Sequence, residues 1–388
     1  MSTHRRNIPG DPVLNGLFDT DGEWWRARSN VSYVDQIQIP THITGAFQDE
    51  QTGPRFPHLW ELIPAGVPKR LLMTNGNHGT QVDAFETWAD RKAWMDYWMR
   101  GVANPFVNPG PNPVSVRTLF ELHQSPDVGL VSNGFKEGTA FPYPDTTWTP
   151  VFLGPNGALS TAMAKAGSAV YLSGTKRQSW FYDAGPNVGP PITTVQGPDE
   201  LDFVSAPFTE TAAMAGPITA NLFVSSTAPD TPIFVQVADR DKAGNVTILQ
   251  RGVLRASHRA IDFSLSDYDE TKLDPFTGAG PFLYRPWRPH TNPTNITPLD
   301  VNEYLVEIWP VAHVFRPGHQ LQIKIMAPSL VDSYYAYAPR EVPLALNTIY
   351  FGPKTPSRIT LPFVSLSGVN LGPALKCGEL WQIRCVRD

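Results

Sequence analysis

The sequence predicts a chain in two parts: a short α/β layer over roughly the first hundred residues, then one long antiparallel β-sandwich. Three observations predict it. Apolar residues make up 41% of the 388 residues and charged residues only 17%, with 39 Pro and 30 Gly; the Pro share is about twice the usual one, which favours strands and ordered loops over helices. Strand-like and helix-like segments alternate only over 37–101, the pattern of an α/β layer. Beyond the Pro/Gly/Asn linker at 104–113 the chain shows short apolar segments bounded by turn residues, with no helix longer than a turn or two.

In the first part, residues 37–45 form a β-branched run closing on Gly45, which predicts a buried strand, and 70–76 repeats that format. Residues 56–63 predict a short helix ended before Pro64. Over 83–100 the pattern is helical, with Phe85, Trp88, Met95, Trp98 and Met99 on one face and Gly101 placed to cap the C-terminus.

In the second part, segments at 115–122, 149–153, 201–205, 218–225, 233–239, 305–310 and 321–326 predict strands. The last alternates strictly, with Leu321, Ile323 and Ile325 sharing a face. The Pro-rich stretch 281–298 predicts a long connection of Greek-key type. Together these predict a jelly roll. The expected units are 1–110, 114–365 and a C-terminal tail at 366–388.

The net charge of −5 and pI near 6.0 exclude a nucleic-acid surface, which needs clustered Lys and Arg. No run of about 18 apolar residues occurs, so no spanning helix is expected. Residues 1–10 are polar and basic with no apolar run behind them, unlike a secretory signal, and a cytoplasmic location is the expectation. Cys377 and Cys385 are the only cysteines, too few for a disulfide scaffold, and whether they pair is left open.

Several segments in order resemble the Xaa-Pro dipeptidyl-peptidase and cocaine-esterase-like (CocE/NonD) serine hydrolases. Trp25-Arg26-Ala27-Arg28-Ser29 with Tyr33-Val34-Asp35-Gln36-Ile37 and Ile39-Pro40 is similar to their lead-in. Gly45-Ala46-Phe47-Gln48-Asp49 resembles the strand end that carries the triad acid, and Asn75-Gly76-Asn77-His78 stands where the family has its general base. Trp94-Met95-Asp96-Tyr97-Trp98-Met99-Arg100-Gly101 matches the helix that follows. In the sandwich, Trp148-Thr149-Pro150-Val151-Phe152-Leu153, Gly216-Pro217-Ile218-Thr219-Ala220-Asn221-Leu222 and Pro310-Val311-Ala312-His313-Val314-Phe315-Arg316-Pro317-Gly318-His319 are further family blocks. The resemblance runs over about 24–363. It implies the C-terminal fragment of an α/β-hydrolase domain, followed by a jelly-roll sandwich of the galactose-binding-like kind.

The resemblance makes Asp49 and His78 the catalytic acid and base, with Glu50 as the alternative acid. The nucleophile is missing. An elbow needs Gly two positions before and two or three after the Ser, because the turn is strained. No such pattern occurs. Ser32 lacks the flanking Gly, and Ser333 lacks it and lies after His78, in the wrong order. In the family the serine, its oxyanion hole and the helical cap come from residues preceding this region, so the chain alone should lack covalent catalysis.

Other constellations read as structure. His313 and His319 have no third metal ligand at a recognisable spacing and fit a strand end and tight turn. Asp239, Asp241 and Gly244 lack the bidentate Glu of a Ca²⁺ loop, and a hairpin at 242–245 fits better. No metal or cofactor is expected. Trp287, Tyr334, Tyr335 and Tyr337 fit packing better than a sugar-binding face.

Two functions follow. The chain is the acid–base portion of a hydrolase acting on a small peptide, amide or ester, partnered by an N-terminal hydrolase half or by a second copy of itself. Alternatively it is a non-catalytic sandwich binding carbohydrate or a partner, or an inactive truncated product. Residues 1–105 are expected to be poorly ordered alone, with 114–365 folding independently.

Overall fold

The computed structural model describes residues 21–49, 53–104, 115–173, 199–326, 343–367 and 369–387. Glu50, Ser333, Tyr334, Tyr335, Tyr337 and most of the linker lie outside them.

Strands β1 (Thr41–Ala46) and β2 (Lys69–Thr74) are parallel, with Thr41 opposite Lys69 and Ala46 opposite Thr74. Strand β1 starts later than the β-branched run suggests. Pro40 precedes it, Val34–Gln36 forms a 3-10 turn, and Ile39 is 71% exposed. The helix Phe56–Leu62 carries the chain from β1 to β2, the crossover that parallel strands need.

The predicted second helix is broken at Ala84 into Thr80–Asp83 and Phe85–Arg100. Gly101 caps it with φ 67°, its N–H reaching the Asp96 and Tyr97 carbonyls, the left-handed cap expected there. The apolar face of this helix is the outer one. Phe85, Trp88, Met95, Trp98 and Met99 are all exposed, while Thr87, Asp90, Ala93 and Trp94 are buried. Asp90 is held inside by the fully buried Arg70 of β2 and by His42 of β1, whose Nε2 lies 2.9 Å away. A buried salt link therefore fixes the helix to the sheet, and its apolar stripe is left outside.

The chain returns as β3 (Val116–Phe120), parallel to β2, and after a ribbon of β4 (His123–Ser125) and β5 (Gly129–Val131) as β6 (Gly134–Gly138), antiparallel to β3. The sheet order is β1-β2-β3-β6. The strand expected at 115–122 thus belongs to the α/β sheet and not to the sandwich. The Pro/Gly/Asn composition before it marks a crossover between parallel strands, which local pattern cannot distinguish from a domain boundary.

The rest is β. The strands are β7 (Thr147–Leu153), β8 (Ala158–Ser160), β9 (Gly167–Ser173), β10 (Glu200–Ser205), β11 (Ala212–Ser226), β12 (Pro232–Arg240) and β13 (Asn245–Arg255). They continue with β14 (Asp262–Leu273), β15 (Pro281–Trp287), β16 (Asn302–Phe315), β17 (Gln320–Met326), β18 (Ala345–Phe351), β19 (Arg358–Val364) and β20 (Cys385–Arg387). Pairing runs β16-β13-β12-β17-β10-β8-β7-β19-β11 and closes through β11–β16, a ring of nine strands. At Gly252 strand β13 approaches β16 so closely that a Cβ would run into the Glu307 carbonyl. The ring encloses a core that includes Leu222, Val235, Ile308 and Ile323.

Strand β17 shows the strict alternation predicted, yet both its faces are buried. Leu321, Ile323 and Ile325 enter the core, and Lys324 on the other face pairs with Glu200 at 3.0 Å. The front of the Pro-rich 281–298 stretch is a strand, because β15 pairs with β14 and sets Phe282 and Tyr284 against Trp148. The hairpin at 242–245 is present, organised by Asp241, which accepts from the Ala243 and Asn245 amides.

The two parts share a core. Phe47, Trp60 and Leu71 pack in one cluster with Ala213, Ala312 and Val314 of β11 and β16. The tail binds both parts: Trp381 N–H donates to Leu122, β20 pairs with β13, and Cys377 is disulfide-bonded to Cys385. Independent folding of 114–365 is therefore not what the packing favours, since removing 1–105 strips β3 of β2 and opens the shared cluster. Among the described residues no helix is long and apolar enough to cross a membrane.

Candidate functional site

Asp49 and His78 follow the carboxyl ends of β1 and β2, the edge where parallel α/β sheets place their sites. The two loops continue the strand pairing. Phe47 N–H donates to Thr74 and Gln48 N–H to Gly76, while Asp49 N–H turns back to Ala46. His78 stands between Gly76 (φ 113°) and Gly79 (φ 106°), backbone angles that other residues adopt only with strain. At Gly76 a side chain would also clash with Thr80, whose hydroxyl caps the loop on the Asn77 carbonyl at 2.7 Å.

This geometry brings His78 Nδ1 to 3.0 Å from Asp49 Oδ2 across 29 positions of sequence. The Asp49 side chain is 3% exposed and that of His78 39%. A buried carboxylate on Nδ1 fixes that nitrogen as the donor and sets the ring orientation. The arrangement can support proton transfer through Nε2, with the carboxylate stabilising the cation formed. Ser32 lies in the 3-10 turn Asn30–Ser32.

Residues that sequence reasoning missed lie beneath the pair. Gln48 and Gln250 are buried and bond across from the loops to the β-domain. A Gln beside an acid carries no sequence mark of burial. Asn75 is fully buried, and among the described residues neither polar atom of its amide has a partner.

A second cluster lies in the β-domain. His313 Nε2 is 2.8 Å and His319 Nδ1 3.0 Å from Asp239, beside a groove lined also by Glu121, Arg316 and Cys377. The third partner that spacing did not reveal thus comes from another strand, and it is an acceptor for two imidazoles. Burial pushes the Asp239 carboxyl up, but the two histidine hydrogen bonds outweigh it and hold it below the usual range. The same hydrogen bond raises His319, against its partial burial. Among the described residues His58, Glu61 and Asp267 gather three metal-type ligand atoms. The Arg285 guanidinium already bridges Glu61 and Asp267, at 2.5 and 2.7 Å. Trp287 is half-buried against His58.

The description of the matching family, X-Pro dipeptidyl-peptidase C-terminal non-catalytic domain, applies to residues 112–360 and leaves Asp49 and His78 outside the match. The cocaine esterase of Rhodococcus sp. (strain MB1 Bresler) is 25% identical over 256 residues, 59% of this chain and 40% of the esterase. A CocE/NonD family hydrolase from Staphylococcus aureus superposes with a TM-score of 0.69 at 18% identity, over 93% of this chain and 60% of that one. An aminopeptidase from a marine sediment archaeon (Thaumarchaeota archaeon) superposes with a TM-score of 0.64 at 15% identity, over 93% and 61%. The chain spans about 40% of the length of that curated relative. It belongs to the X-Pro dipeptidyl-peptidase C-terminal domain family and corresponds to the C-terminal part of the CocE/NonD hydrolases.

Proposed function

We propose that this chain supplies the acid and base of an α/β serine hydrolase whose nucleophile lies outside these 388 residues. The observation that carries the reading is the Asp49–His78 contact at the ends of adjacent parallel strands. Two features support the missing half. Among the described residues β1 pairs on one side only, with β2, whereas parallel sheets are normally covered on both faces and extended beyond such a strand. The helix Phe85–Arg100 also turns its aromatic stripe outward. In this reading the sheet β1-β2-β3-β6 is the end of the α/β-hydrolase sheet, and the nine-strand β-domain is the family's jelly roll.

The chemistry is acyl transfer. A serine Oγ brought to His78 Nε2 gives up its proton as it bonds to the substrate carbonyl carbon. Asp49 stabilises the resulting imidazolium. His78 then returns the proton to the departing amine or alcohol, leaving an acyl-serine that water hydrolyses by the same route. The substrate is a small peptide, amide or ester, and the groups that choose among them lie in the other half.

Co-production of the chain with the segment encoded directly upstream, assayed on a p-nitrophenyl ester and an Xaa-Pro anilide, tests it. The reading expects turnover that Asp49→Asn or His78→Gln lowers by roughly 10³- to 10⁴-fold. Turnover indifferent to both changes would sink it.

A further inference from the structure

Gln48 lies between the two loops and the β-domain. Its Oε1 accepts from the Gly76 amide at 2.8 Å, while Gly76 O receives the Gln48 amide at 3.0 Å, so the two residues close a ring across the loops. Its Nε2 donates to the Leu249 carbonyl of β13 at 2.9 Å. One residue further along β13, Gln250 Nε2 donates to the Phe47 carbonyl at 2.8 Å and to the Pro310 carbonyl of β16 at 2.7 Å. Both amides are buried, Gln48 at 7% and Gln250 at 1% exposure.

The β-domain carbonyls used here lie at breaks in its own ladders. Val237 is opposite Gln250 and Ala238 opposite Ile248, so Leu249 is the extra residue of a bulge against β12. Gly216 is opposite Val311 and Ile218 opposite Ile308, so Pro310 lies in a second bulge, against β11. A bulge frees a carbonyl from its ladder and re-aims it. Two bulges on neighbouring strands, each offering its carbonyl to one of these amides, form a built contact.

We propose that Gln48 and Gln250 are positioning residues through which the β-domain sets the geometry of Asp49 and His78. Gln48 fixes the acid's loop against the base's loop, and Gln250 fixes the residue two before the acid. The β-domain is then more than an appendage: its bulged strands form the floor on which the pair is aligned. This rests on Asp49 and His78 acting as a pair, and the experiment separates the two claims.

The readout is the His78 Nδ1–H proton resonance in full-length chain labelled with ¹⁵N-histidine, near pH 8, where an ordinary imidazole is neutral. Asp49→Ala should abolish it; if the resonance survives that change, the pair itself fails. With the pair established, Gln48→Met and Gln250→Met should each broaden or abolish the signal. Gln322→Met removes an equally buried amide, bonded to Asp202 at 2.9 Å, and should leave it sharp. Gln250→Met leaves the loops' own backbone bonds in place and keeps the test open should Gln48→Met unfold. A signal as sharp in the Gln48 and Gln250 variants as in wild type overturns the proposal, and so does its equal loss in Gln322→Met.

Discussion

Asp90 and Asp239 are buried carboxylates hydrogen-bonded to basic side chains, Arg70 and His42 for the first and His313 and His319 for the second, and the pH dependence of each cluster can be measured. Burial opposes ionisation of Asp90, but hydrogen bonds from Arg70 and His42 hold it down to about 2. A carboxyl depressed on folding stabilises the fold above its ordinary value, and that stability is lost as pH falls toward the folded one. Replacing Asp90 by Ala takes a buried carboxylate away from the buried Arg70 guanidinium, and is expected to cost about 3–5 kcal/mol at pH 7. Urea unfolding at pH 7 and pH 2.5 checks this, with a smaller gap at the lower pH. His319 has the opposite sign. Its raised value gives stability that is complete below the ordinary histidine pKa and fades as pH rises through the folded one. His319→Gln should therefore lower Tm more at pH 6 than at pH 9, and a constant loss would remove the Asp239 contact from the explanation.

The helix Phe85–Arg100 shows what sequence pattern resolves and what it leaves open. Apolar spacing marked the helix, and Gly101 marked its end. The same spacing put Phe85, Trp88, Met95, Trp98 and Met99 on one face without saying what covers it, and that face is exposed. Periodicity reports that one face is apolar, not what covers it, and the inner face is decided by Asp90 meeting Arg70 from a distant strand. Asp49 and His78 were legible because each follows a strand in a matching motif. Gln48, Gln250 and the Asp239 cluster were not, since Gln48 and Gln250 bond across 201 and 203 positions and Asp239 meets His313 and His319 across 74 and 80. Trp88→Lys and Met99→Lys should stay within about 0.5 kcal/mol of wild type in the chain alone. Trp94→Ala, on the buried face, should cost about 3 kcal/mol or more. Denaturant melts of the three variants decide whether the aromatic stripe is truly unsupported within this chain.

At the scale of the whole molecule, the Phe47–Val314 cluster and the tail tie the short parallel sheet to the closed β-domain. Unfolding followed by tryptophan fluorescence and by far-ultraviolet circular dichroism should give coincident midpoints, and two separated transitions would contradict the shared core. Chain purified without reductant should show no free thiol when titrated in denaturant, because Cys377 and Cys385 are paired; two free thiols would remove that pair from the tail. The account's central claim is that the chain holds an acid and a base but no nucleophile. Incubation of the purified full-length chain with a fluorescent fluorophosphonate, native and heat-denatured, tests it most directly. The account predicts no labelling in either sample, and native labelling that disappears on denaturation would contradict it.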